Sequence, residues 1–361
     1  MSAKGCEVLV IGEGLSGIVA AATAATEGSH VTLVSKGPGS FVLGSGCIDL
    51  DGADRATLGL VDDQLKAAVS FFLDLASSAD CAYGGGIAQR HLVPTILGTF
   101  QEVSLAPRWL WQADPKNFSR VLVASIANLP AFDAKFVAER LSSHCKRMGL
   151  STSYRSEVVT LPQNPKHALT ALEVAGHIDR DNDYRIALAR ALRPLIQDAE
   201  LLIVPGILGV KSNDTDIVCL EEDIGCAVCE LATLPPSVPG LRLLQRLERR
   251  LMQLGVDIST GFPVRKLCTE GQHCIAVELD TPGRPRRLRA DIVILACGRF
   301  SDLLEPAMTE FTGCESHFDN VFACGSLLGQ FEPRHRNAVS ILTGHQAGML
   351  ASKQGVQYAG R

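Results

Sequence analysis

Beyond its N-terminal segment the chain has no run of 18 clean apolar residues, which excludes a membrane-spanning helix of ordinary length. Positive charge is not in excess either. The 34 Lys and Arg stand against 39 Asp and Glu, for a net charge of −5. That balance argues against a nucleic-acid binder, because phosphate contacts need a surplus of cations. The 12 cysteines form no framework. Cys226 and Cys229 make one CxxC, and no second CxxC completes a zinc or iron–sulfur ligand set. They read instead as buried, reduced thiols of a cytoplasmic protein.

What is present fits a globular α/β protein. The length, 361 residues, suggests two domains, and 46% hydrophobic against 20% charged residues excludes disorder. A mean hydropathy of +0.16 implies a large core or a surface covered by a partner.

The first 36 residues read as a βαβ unit. Residues 6–11 (CEVLVI) are a buried parallel strand, IVAAATAATEG a tightly packed helix, and residues 30–36 (HVTLVSK) a second strand. Between the first strand and the helix lies Gly12-Glu13-Gly14-Leu15-Ser16-Gly17, a GxGxxG in its proper context. Gly12 serves the tight turn, Gly14 the approach of a phosphate and Gly17 close helix–strand packing. The helix N-terminus adds free N–H groups and partial positive charge. Glu13 and the glycines argue against reading this segment as a signal peptide.

One expected residue is missing. A dinucleotide-binding unit ends its second strand on an acid that holds the adenosine ribose. Here that place carries Ser35, followed by Lys36. FAD with a weaker ribose clamp, FMN with no adenosine, and a ribose bearing an extra phosphate all remain open. A glycine-rich stretch follows, residues 37–46, where a plain NAD domain would begin its next helix.

Further along, residues 55–80 read as a helix with Leu60, Leu65, Val69, Phe72 and Leu75 on its apolar face. Residues 82–86 read as a chain breaker, and residues 91–118 as extended segments and turns. Residues 120–126 and 200–209 read as buried strands, and the amphipathic stretch ending at Gly149 as a helix with a glycine C-cap. His91, His144, His167, His177 and His273 are given no role. Near the C-terminus two apolar strands each end at glycine, at Gly298 and Gly325, before a final helix whose N-terminus would face a cofactor. The expected architecture is therefore a Rossmann-like FAD/NAD(P)-binding domain (residues 1–85 and 235–361) with an inserted second α/β domain (residues 86–234) serving as a cap or partner-binding module.

Four segments carry a family resemblance: VIGEGLSGI, SGCIDL, LPPSVPGLRLLQRLERRLMQLG, and NVFACGSLLGQFEP followed by AVS. On these the chain resembles the B-subunit family of anaerobic glycerol-3-phosphate dehydrogenases, and more distantly fumarate-reductase-like flavoproteins. In the latter, the loop over the flavin ring is similar to residues 37–46. The resemblance implies that Ser45, Gly46, Gly325 and Ser340 lie near the flavin and the backbone at Val264 near any adenosine end. FMN is the cofactor it implies, with FAD the alternative. Ser326 stands where related FAD enzymes often carry an Asp, and Arg334-His335-Arg336-Asn337 replaces a glycine-rich run.

The implied reaction takes a hydride from sn-glycerol 3-phosphate to give dihydroxyacetone phosphate. His335 between Arg334 and Arg336 has the chemistry for base and phosphate clamp, but the stretch reads more plainly as a solvated basic loop. The implied partners are the A subunit of such a dehydrogenase, on which substrate oxidation is placed, and an iron–sulfur, membrane-associated C subunit leading to quinone. The complex would sit at the inner face of the cell membrane. A flavin-fold scaffold without cofactor and an NADPH-dependent reductase are the other readings.

Overall fold

A computed structural model describes residues 6–51, 61–161, 167–298 and 311–359. They fall into two compact units, one built from residues 1–41, 49–75 and 247–361, the other from residues 42–48 and 76–246.

The first unit is organised by a five-stranded parallel sheet drawing on both ends of the chain. Its strands are β1 (Glu7–Glu13), β2 (His30–Pro38), β3 (Asp257–Thr260), β4 (Ile292–Leu295) and β5 (Val321–Ala323), in the order β3-β2-β1-β4-β5. β1 is central: Val8 stands opposite Val31 on one side and Ile292 on the other. Covered on both faces, its Val8, Leu9, Val10 and Ile11 are all buried, which is why the segment is a continuous apolar run rather than an alternating one.

Two helices pack against each other in this unit, α1 (Leu15–Thr26) and α2 (Arg336–Ala359). Small residues make that approach possible. A Cβ on Gly344 would stand 2.5 Å from the Ser16 carbonyl oxygen, and one on Gly348 2.7 Å from that of Ala20. The alanine-rich helix of the sequence is thus a surface for another helix. A three-stranded antiparallel sheet (Val264–Glu270, His273–Leu279, Arg286–Leu288) adds Cys274, Val277 and Leu279 to a core shared with Leu9, Val34 and Val293.

The second unit holds a four-stranded parallel sheet in the order Ala227–Leu231, Leu201–Pro205, Arg120–Ile126, Ser153–Val159. Several of its helices start on side-chain caps. Asp133 accepts from Phe136 N–H at 3.0 Å, and Thr170 with Glu173 and Asn213 with Asp216 form capping boxes. The helix Ala134–Arg147 ends before Gly149, whose φ of +72° is the left-handed turn read from the sequence.

Three local readings change. Tyr83–Gly85, expected to be a breaker, is a short strand paired with Leu105–Pro107; a three-residue strand is legible only once its partner is known. The apolar strand expected to end at Gly325 is confined to Val321–Ala323, and Gly325–Leu328 forms a 3-10 turn. The expected 55–80 helix is seen as Asp62–Ser78, with Leu60 outside the described residues.

Candidate nucleotide cleft

β1 delivers the chain into a turn that only glycine tolerates. Gly12 has φ +117°, and a Cβ there would stand 2.3 Å from the Ala296 carbonyl oxygen. A Cβ on Gly17 would stand 1.9 Å from the Gly12 carbonyl oxygen. These two glycines are fixed by packing of backbone on backbone. Gly14 differs: nothing lies within 4 Å of its Cβ position. It is the N-cap of α1, and no side chain caps that helix. The orphan N–H groups of the first turn therefore remain available to an anion.

Gly12 and Gly14 line a cleft of about 680 Å³ within the first unit. Gly12, Gly14, Ser35 and Lys36 form one part of its wall, Val264 with Pro263 and Arg265 another, and Gly298 with Ser326 a third. Arg336, Asn337 and Ser340 bring the first turn of α2 to the same cleft. Gly298 (φ +74°) meets only the Ser326 hydroxyl, at 3.8 Å. Gly325 (φ +71°) lies behind the wall, donating its N–H to Thr343 Oγ1 at 2.8 Å and passing so close to Ser16 that a Cβ would stand 2.4 Å from its hydroxyl.

The remaining candidates are not among the residues lining this cleft. Ser45 and Gly46 belong to the second unit, where Tyr83 Oη donates to the Gly46 carbonyl at 2.9 Å. Arg334 is exposed and pairs with Glu332 at 2.8 Å. His335 is not part of a solvated loop. It is only 5% exposed, with Nε2 3.8 Å from Asp49 Oδ2 and no hydrogen bond at that nitrogen. The 3-10 turn Pro333–His335 directs it inward between two exposed arginines.

The residue that sequence reasoning passed over is Glu13. Glu13 is 3% exposed and lines the cleft, and its carboxylate accepts from Ser35 Oγ at 2.7 Å and from Thr260 Oγ1 at 3.0 Å. It also hydrogen-bonds Glu248. Burial first, then that hydrogen bond and charge, push the Glu248 carboxyl up to about 8. An acid thus reaches the end of β2 from the glycine loop, beside the serine that stands where an acid is usual. The signal was an ionisable residue inside an otherwise apolar fingerprint.

The uncapped helix, open Gly14 and large cleft fit a bound dinucleotide. A family model described as an FAD binding domain matches residues 7–70 and 232–324. The probable anaerobic glycerol-3-phosphate dehydrogenase B subunit of Halobacterium salinarum is 28% identical over 319 residues, covering 81% of this chain and 74% of that protein. The anaerobic glycerol-3-phosphate dehydrogenase B subunit of Pectobacterium carotovorum is 30% identical over 327 residues, covering 81% and 75%. Among solved structures, a 3-ketosteroid delta1-dehydrogenase from Sterolibacterium denitrificans shares 15% identity at a TM-score of 0.38, covering 82% of this chain and 48% of that one. The matched domain supports a flavin, and it supports FAD; the FMN implied by resemblance finds no support in it.

Proposed function

The chain belongs to the B-subunit family of anaerobic glycerol-3-phosphate dehydrogenases, and from that premise we propose that it is the flavin-carrying member of a complex oxidising sn-glycerol 3-phosphate to dihydroxyacetone phosphate, with FAD in the cleft of the first unit. The observation that carries this reading is the cleft itself, where Gly14 and the uncapped start of α1 meet residues from the C-terminal half of the sheet.

The pyrophosphate would rest on the N–H groups at Gly14 to Ser16. Val264 and its neighbours would border the adenosine end. Gly298, Ser326 and Ser340 would border the flavin end, with the start of α2 adding partial positive charge. When bound, the flavin supplies a reversible hydride and electron acceptor. Arg336, beside Asn337 and Ser340 at the cleft wall, is a cation suited to an anionic substrate or a reduced ring; buried His335 next to it lies 3.8 Å from Asp49. Ser45 and Gly46 keep their assignment to the flavin loop only as a proposal, as does the division into a flavin domain and an inserted cap or partner-binding domain.

Relatives named as B subunits imply a multi-subunit complex. We assign the partners of this chain as the A subunit and an iron–sulfur C subunit that passes electrons to quinone at the inner face of the membrane. No helix among the described residues is long and apolar enough to cross a membrane, so such an attachment would run through partners.

Purified full-length protein is expected to be yellow, with an absorbance band that bleaches on reduction and an extracted cofactor of the mass of FAD. A folded, colourless chain that takes up neither FAD nor FMN would instead leave a scaffold role.

A further inference from the structure

Glu13 is a costly residue in its place. A carboxylate excluded from water needs donors or a counter-charge to be kept. Its partners among the described residues are two hydroxyls and a second carboxyl, Ser35, Thr260 and Glu248, with no arginine or lysine among them. For β1 alone, an apolar residue would have been cheaper.

The surroundings say what the charge is placed for. Ser35 is the last residue of β2 paired with β3 and stands opposite Thr260 in the parallel register. Their hydroxyls draw the Glu13 carboxylate to the point where the pairing of these two strands ends, on the wall of the cleft. In a dinucleotide-binding sheet, a carboxylate at the end of the second strand accepts from the adenosine ribose. A carboxylate offers about four acceptor positions, and the present donors leave room for a further hydroxyl.

We propose that Glu13 is the ribose-binding acid of this cleft, supplied from the glycine loop instead of from β2, and that it sets the cofactor choice. It selects a dinucleotide with free adenosine hydroxyls over FMN, which has no adenosine, and over a 2′-phosphorylated ribose, which its charge repels. The assignment rests on the reading that the cleft holds a flavin.

The test is a set of fluorescence titrations on full-length protein stripped of cofactor. The ligands are FAD, FMN, and FAD lacking the adenosine 2′-hydroxyl. Wild type is expected to prefer FAD. Glu13→Gln, which keeps the shape and one acceptor, is expected to weaken FAD about tenfold or more while leaving FMN within about twofold. The deoxy analogue should lose affinity in wild type and little further in Glu13→Gln. Adding Ser35→Glu to Glu13→Gln, which restores an acid at the end of β2, should recover FAD binding. If wild type binds FAD while Glu13→Gln binds it equally well, or the deoxy analogue loses as much in both proteins, Glu13 is not the ribose acid and the flavin reading survives. If wild type binds no flavin, the reading of the cleft falls and the assignment with it.

Discussion

Glu230 and Glu13 are both buried carboxylates, and the two units of the chain treat them in opposite ways. Glu230, in the second unit, is fully buried and fully answered. Arg242 Nη1 and Nη2 meet its two oxygens at 2.6 and 3.1 Å, and Leu208 N–H donates at 2.7 Å. Arg242 in turn donates from Nε to the Gly209 carbonyl and lies 5.2 Å from the Trp109 ring centroid. Glu13 has no such counter-charge among its partners and faces a cleft. A buried charge closed upon its partner ties secondary elements together, whereas one left with hydroxyls and another acid is available to a ligand.

Breaking the closed pair should have the largest effect. Arg242→Met leaves Glu230 buried without its counter-ion and is expected to destabilise the protein by about 3–5 kcal/mol. Urea unfolding measures this. Replacing both partners, Arg242→Met with Glu230→Leu, should recover most of the loss, since the cost lies in the uncompensated charge. A double variant as unstable as the single one would show that the pair contributes through packing instead.

The glycines of the cleft sharpen the contrast at somewhat smaller scale. Gly17→Ala drives a Cβ into the Gly12 carbonyl oxygen, where only backbone can yield. It should cost about 1–3 kcal/mol or more in thermal or urea unfolding. Gly14→Ala meets nothing and has φ −76°, which alanine adopts freely. It should leave stability within about 0.5 kcal/mol and weaken flavin binding, because its methyl group occupies the phosphate approach. If both variants unfold alike, or Gly14→Ala binds flavin normally, the separation of packing glycine from site glycine is wrong.

How much of this could be read in advance depended on how local each signal was. Strand β1, the glycine turn and α1 follow one another directly along the chain, and each carries its own pattern. The apolar runs ending at Gly298 and at Gly325 belong to β4, beside β1, and to β5, beside β4, and each declared itself as a buried strand. Glu13 did not. Its meaning depends on Ser35, 22 residues on, and on Thr260, 247 residues on, and only the parallel register of β2 and β3 brings them together. His335 was misread for a related reason. Flanking arginines suggested a solvated loop, but a 3-10 turn sends neighbouring side chains in different directions. Tyr83–Gly85 needed its partner Leu105–Pro107 before it could be a strand at all.

A further effect to look for is one of pH, and its sign follows from Glu248. The carboxyl group is raised from an ordinary value near 4.5 to about 8, by burial first and then by Glu13. Between those values the folded chain holds a proton that the unfolded chain has released. Stability therefore falls as pH rises from about 4.5 to about 8, and this contribution is flat outside that window. Glu13→Gln removes the neighbouring charge but not the burial, so the decline should become shallower without vanishing. Glu230 provides the control, because its charge is already matched by Arg242: the decline should persist when Arg242 and Glu230 are replaced together. Unfolding midpoints measured across about pH 5 to 9 for wild type, Glu13→Gln and that double variant separate the cases. An undiminished slope in Glu13→Gln would mean that the two acids do not share a proton, and Glu13 would then be held at the end of β2 by Ser35 and Thr260 alone.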